Sequence, residues 1–174
     1  MTWPTHALLG LNSLWLLAPL PIELLGYNIG TLAVCATLGA LLPDLDASES
    51  KIKHLKIPGT GFKPFMVPAQ VVHRTSQHRG VLHSCWGLGM ITLMATPFML
   101  WVGWAPVVAL LLGYSSHLLG DSATRSGLRL LYPNPRRFHL LPKALGITTG
   151  SQAEEVLAAT LLLPAFMVLL QALR

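Results

Sequence analysis

Long apolar runs, separated by polar intervals that hold nearly all the charge, constrain this chain more than any single motif. The runs cover residues 7–25, 24–42, 81–101, 104–120 and 156–173. Each is near the ~20 residues a helix needs to cross a hydrocarbon core. Pro19, Pro21 and Glu23 interrupt the first run, making it the most marginal, and Pro164 interrupts the last. Only 11% of the residues are charged, against roughly 25% in a soluble domain. The pattern therefore predicts an all-α fold, a multi-span integral membrane helical bundle of four to five transmembrane helices with short cytoplasmic interfacial loops. No repeat, low-complexity tract or linker divides it, so residues 1–174 read as one domain.

The basic residues set the expected orientation. Lys51, Lys53, Lys56, Lys63, Arg74 and Arg79 lie in the polar interval 43–79, and Arg125, Arg129, Arg136, Arg137 and Lys143 in the interval 122–152. The turn between the third and fourth runs has none, and Trp101 and Trp104 flank it as interfacial anchors would. An even number of spans separates the two basic intervals, so both fall on one side, which the positive-inside rule makes cytoplasmic. No Lys or Arg precedes Lys51, so the first run lacks the n-region of a cleavable signal peptide and is expected to persist. Cys35 and Cys85 each sit in apolar sequence and read as packing residues, not as a disulfide or thiolate site.

Against this apolar background one stretch, residues 110–131, ends a helix with His117 and Asp121. Residues four apart share a helical face, so an imidazole nitrogen and a carboxylate oxygen can point at one spot. Two ligands of one metal ion need that arrangement. The other unusual polar residues fall at the same depth: His6 before the first run, Asp44 and Asp46 just after the second, and His78 and His83 around the start of the third. A helical bundle would gather these seven into one cluster. Such a mixture suits zinc, with manganese or iron as alternatives, better than calcium or magnesium. Seven donors exceed the needs of a single four-coordinate zinc, which points to two ions, or to one with outer partners.

Plainer readings stand beside these. His6 also fits an interfacial histidine, Asp44 a helix terminator, His83 a polar residue facing another helix, and Arg79 a topological charge. His54, His73 and His139 sit in basic contexts without a partner pattern and read as solvated.

The segments LLPDLD, HRGVLHS and LGYSSHLLGD, in that order, resemble the YdjM-like family of inner-membrane-associated metal-dependent hydrolases. That family combines an N-terminal histidine, a proline before Asp-x-Asp, a His-Arg-Gly-x-Thr-His-Ser element and a Gly-Tyr-x-x-His-x-x-x-Asp element, followed by a Thr-Pro-x-Gly turn. The likeness covers nearly everything from His6 to about Pro142. It implies a bacterial inner-membrane location and metal-site roles for His6, Asp44, Asp46, His78, His83, His117 and Asp121. Leu82 stands where the family usually has threonine, and Arg125 replaces the turn proline. Neither change removes a candidate ligand.

The leading functional reading is a hydrolase of phosphoesters, including phospholipids, with a cytoplasm-facing site. Asp46 or Asp121 would manage the proton, and Arg79 would contact phosphate. Arg125, Arg136 and Arg137 would also be available to anionic groups. The expected partner is membrane lipid, and no specific nucleic acid is expected, since positive charge alone supports one. The competing reading is a non-enzymatic membrane protein that uses the cluster for structural or regulatory metal. A transporter would need ionisable residues near the midplane, and the spans are apolar between their ends. Neither His-Glu-x-x-His nor Gly-x-Ser-x-Gly is present, which disfavours a zinc or serine protease.

Overall fold

The computed structural model of the chain describes residues 1–20, 26–46 and 80–171. Among these residues the architecture is all-helical and has no β-strand; the extended pairings are two isolated bridges, Thr124 with Ile147 and Leu128 with Phe138. Helix α1 (Trp3–Ser13) runs into a 3-10 turn at Leu14–Leu17, and α2 (Ile29–Leu41) into another at Pro43–Asp46. A third 3-10 turn, Val81–His83, precedes α3 (Cys85–Ala95), which continues through Thr96–Phe98 into α4 (Met99–Val102). Helices α5 (Trp104–Ser122) and α6 (Gln152–Gln171) complete the chain.

Local chemistry accounts for the ends of these helices. The Asn28 side chain accepts a hydrogen bond from Thr31 N at 2.8 Å, and Ser84 Oγ accepts one from Gly87 N at 3.4 Å, which caps the starts of α2 and α3. Pro43 has no N–H with which to extend the ladder of α2, so the chain tightens into its 3-10 turn there. Pro97 likewise splits the apolar run that the sequence presents as one unit. Gly103, at φ +67°, makes the corner between α4 and α5 in a conformation other residues resist. Glu154 and Glu155 occupy the first turn of α6, where carboxylates suit the helix dipole. That helix consequently starts at Gln152, before the apolar run itself.

Two helical runs, Cys85–Val102 and Gln152–Gln171, are long and apolar enough to cross a membrane, and Ile29–Leu41 is apolar but shorter. At 13 residues, α2 spans about 20 Å. The core forms where α2 crosses α5, with α1 against both and α6 against α1. Leu14, Leu17, Leu32, Ala33, Ala36, Ala105, Ala109 and Val168 are buried there together. Small residues let the backbones approach: a Cβ on Gly39 would collide with the Leu110 carbonyl, and one on Gly113 with the Ala36 carbonyl. Helix α3 is mostly exposed, as Trp86, Leu93 and Met94 show. Cys85, expected to pack, is exposed at the start of α3, while Cys35 is half-buried against the core.

Two contacts tie the outer elements to this core. Glu154 is buried and accepts hydrogen bonds from Thr2 N at 2.5 Å, Thr2 Oγ1 at 2.9 Å and Gly150 N at 2.7 Å, joining α1 to α6. Tyr114, fully buried on α5, donates its hydroxyl to the Leu82 carbonyl and so holds the turn that carries His83. Replacing Tyr114 with phenylalanine leaves that carbonyl short of a partner and is expected to lower stability by about 1–2 kcal/mol. The check is thermal unfolding of the detergent-solubilised protein, and an unchanged midpoint would show that this bond does not secure the turn.

Candidate metal centre

Four separate segments deliver donors to one place. His6 comes from α1, Asp44 from the 3-10 turn that Pro43 starts, His83 from the turn before α3, and His117 and Asp121 from the last turns of α5. His6, His83, His117 and Asp121 are all at most 2% exposed. The Asp44 side chain is 23% exposed, and of the five it has the most contact with the outside.

The donor atoms converge. His117 Nε2 lies 3.3 Å from His83 Nε2, and His6 Nε2 lies 3.3 Å from Asp121 Oδ1. Asp44 Oδ1 is 3.5 Å from His83 Nε2 and 3.8 Å from His117 Nε2, and Asp121 Oδ2 is 3.9 Å from each of those nitrogens. The His6 and His117 rings stack with centroids 3.6 Å apart and planes 14° from parallel. Two triads, His6–Asp44–His117 and His83–His117–Asp121, each keep their donor atoms within 4.8 Å of one another, and His117 belongs to both.

Three features fit a metal ion. Donors bonded tetrahedrally to zinc at 2.0–2.1 Å stand about 3.3 Å apart, near the short end of the separations observed. His117 Nδ1 lies 2.7 Å from the Ala40 carbonyl. That oxygen can only accept, so Nδ1 carries the proton and the Nε2 lone pair faces the cluster, the outer support that a ligand histidine needs. Finally, His6 Nδ1 is buried without a hydrogen-bond partner among the described residues, a costly state for an imidazole nitrogen that has no further role.

Charge around the cluster is asymmetric. Burial alone would raise the Asp44 carboxyl, but the hydrogen bond with His83 and the fields of His117, His6 and His83 outweigh it and hold the group down to about 2. Asp44 is therefore a carboxylate at neutral pH. The Met1 amino nitrogen lies 2.6 Å from Asp121 Oδ1, inside the same buried region.

Of the seven ligands proposed from sequence, five meet here. Asp46 closes the Pro43–Asp46 turn, but its side chain lies outside the described residues, as do His78 and Arg79. His54 and His73 lie outside them too; His139, read as solvated, is half-buried beside Arg125 and Arg137. Sequence alone assigns no role to the Ala40 carbonyl, Tyr114 or Glu154. A backbone carbonyl leaves no mark in sequence. The adjacent Glu154 and Glu155 at the head of an apolar run, however, are a signal that the sequence does carry.

The family model described as the YdjM inner membrane protein matches residues 1–173. The protein YvsG of Bacillus subtilis (strain 168), described as uncharacterized, is 29% identical over 167 residues, covering 94% of this chain and 91% of its own length. The inner membrane protein YdjM of Escherichia coli (strain K12) is 40% identical over 111 residues, covering 60% of this chain and 50% of its own length, and YdjM of Shigella flexneri gives the same figures. The match thus spans about half the length of those two relatives. No solved structure matches the chain.

Proposed function

The chain belongs to the YdjM inner membrane protein family, and from that premise we propose that it is a membrane-embedded, metal-dependent hydrolase of phosphoesters, phospholipids among them. In this reading residues 1–174 form one domain of four to five spans, with the His/Asp cluster facing the cytoplasm where lipid headgroups lie. The observation that carries the reading is the convergence of His6, Asp44, His83, His117 and Asp121 on one buried point. The mixed nitrogen and oxygen donor set favours zinc, with manganese or iron next, as one ion, or as two of which His117 serves one.

A bound divalent ion would supply stabilisation of the negative charge that develops on a phosphoryl group. The protein's own residues do the rest. His117, oriented by Ala40, and His83, held by Tyr114 through Leu82, fix the nitrogen lone pairs. Asp121 or Asp46 accepts the proton of the attacking water, and Arg79 contacts the phosphate through its planar fork. Asp44, the most accessible member, lies on the side from which a substrate would approach.

One observation favours a second reading, a structural or regulatory metal. The three histidines are at most 1% exposed, and structural zinc sites are closed whereas catalytic ones keep an open position. One experiment separates the two. Protein purified in detergent is assayed for metal by elemental analysis, and for headgroup release from phospholipid before and after chelation. Stoichiometric metal with chelator-sensitive release is the expected result. Stoichiometric metal without release, across anionic and zwitterionic lipids, would leave the structural reading, and absence of metal after reconstitution would defeat both.

A further inference from the structure

After α5, residues 123–147 fold back on themselves through backbone hydrogen bonds. Arg125 N donates to Ile147 O at 3.0 Å, Ile147 N to Ala123 O at 3.1 Å and Leu140 N to Ser122 O at 2.8 Å, while Leu128 and Phe138 exchange bonds of 2.9 and 2.7 Å. This stapling brings Arg125, Ser126, Arg137, His139 and Lys143 around one cavity of about 560 Å³. None of these residues belongs to the metal centre.

Three cations line the cavity and, among the described residues, no carboxylate does. Among the described residues, no salt bridge involves Arg125, Arg137 or Lys143. Backbone carbonyls hold the two guanidiniums instead: Arg125 Nε donates to Gly146 O at 3.2 Å, and Arg137 Nη1 donates to Ser126 O at 2.7 Å. Each anchor uses one N–H and leaves the rest of a rigid fork of donors. Gly127, at φ +62°, seats the third kind of donor, because a Cβ there would come within 2.5 Å of His139 Nε2. Like charges repel one another, and the fold fixes these together all the same. Leu131, Phe138, Leu140 and Leu145 are exposed on the same segment, and Leu131 and Phe138 line a neighbouring hollow together with Arg137.

We propose that this cavity binds a phosphate-bearing anion, either the headgroup of an anionic lipid or free phosphate. Planar arginine forks match phosphate oxygens in pairs, and Lys143 adds a point charge. The volume exceeds that of inorganic phosphate and leaves room for an ester substituent. The site stands whether or not the metal centre performs hydrolysis.

The test uses the full chain in neutral detergent with chelator present throughout, so that metal-borne phosphate cannot report. Inorganic phosphate is titrated by calorimetry against chloride of equal ionic strength. In parallel, phosphatidylglycerol is counted per chain by native mass spectrometry, against diacylglycerol. Saturable phosphate binding identifies the free anion, and lipid binding alone identifies the headgroup; either supports the site. The Arg137→Gln, Lys143→Gln double variant is expected to bind about tenfold more weakly. If it fails to fold, Lys143→Gln alone decides, since that side chain is exposed, and about a threefold weakening is expected. Failure of both ligands to bind above their controls, or parental affinity in these variants, would overturn the proposal.

Discussion

Replacing Gly113 with alanine is expected to cost about 3 kcal/mol or more and to remove most folded protein from the membrane fraction. A methyl at this position meets the Ala36 carbonyl, and the facing Gly39 meets the Leu110 carbonyl in the same way, so the α2–α5 crossing is limited by backbone against backbone. A flexible side chain could turn aside; a carbonyl within a helix cannot. Pushing the helices apart also draws His117 Nδ1 away from the Ala40 carbonyl at 2.7 Å, so the loss reaches the metal centre. Gly89→Ala is the control. It lies on α3 with nothing within 4 Å of its Cβ position, and the better helix propensity of alanine should leave stability level or raised by up to about 1 kcal/mol. Thermal unfolding in detergent, followed by gel filtration, reads both. Equal midpoints for Gly113→Ala and the parent would mean that the crossing is looser than these contacts require.

His117→Ala is expected to abolish metal retention altogether, whereas His6→Ala and His83→Ala are each expected to spare part of it. The difference follows from membership: His117 belongs to both triads, His6 to one and His83 to the other. The single Nε2 lone pair of His117 can serve one ion, so the triads are alternative settings for that ion: each outer variant leaves one triad intact, and the His117 variant leaves neither. Losing the imidazole also leaves the Ala40 carbonyl unpaired in a buried setting, which adds about 1–3 kcal/mol of destabilisation. The metal readout is therefore taken only on variant protein that elutes as the parent does. Parental metal content in a folded His117→Ala protein would remove this residue from the centre and break the reading of the cluster as one unit.

Much of the centre was legible because depth along an apolar helix can be counted. His117 and Asp121 lie one turn apart, and Asp44 and His83 lie at the ends of runs whose polarity changes abruptly. Counting placed them at one level, and the structure brings each of the two histidines within 3.5–3.9 Å of each carboxylate. Periodicity could not supply the inner geometry. The 3-10 turns at Pro43–Asp46 and Val81–His83 aim Asp44 and His83, yet such turns have no apolar repeat to announce them. The first run was the least legible. Its helix ends at Ser13 and passes into a 3-10 turn, because a high content of leucine does not distinguish one helical hydrogen-bond pattern from another. The basic cavity was hidden for a different reason. Sequence makes Arg125 and Arg137 available to anionic groups, but they come together through hydrogen bonds between residues far apart in the loop.

The candidate ligands come from the beginning, the middle and the later part of the chain: His6, Asp44, His83, His117 and Asp121. An ion joining them would act as a reversible cross-link, closing several long loops at once where the unfolded chain closes none. Linkage then makes stability track the free ion, by about 1.4 kcal/mol for each tenfold rise above the dissociation constant. The unfolding temperature of this protein would thus serve as a gauge of metal supply, and a cell short of the ion would lose the protein itself before it lost any chemistry the protein performs.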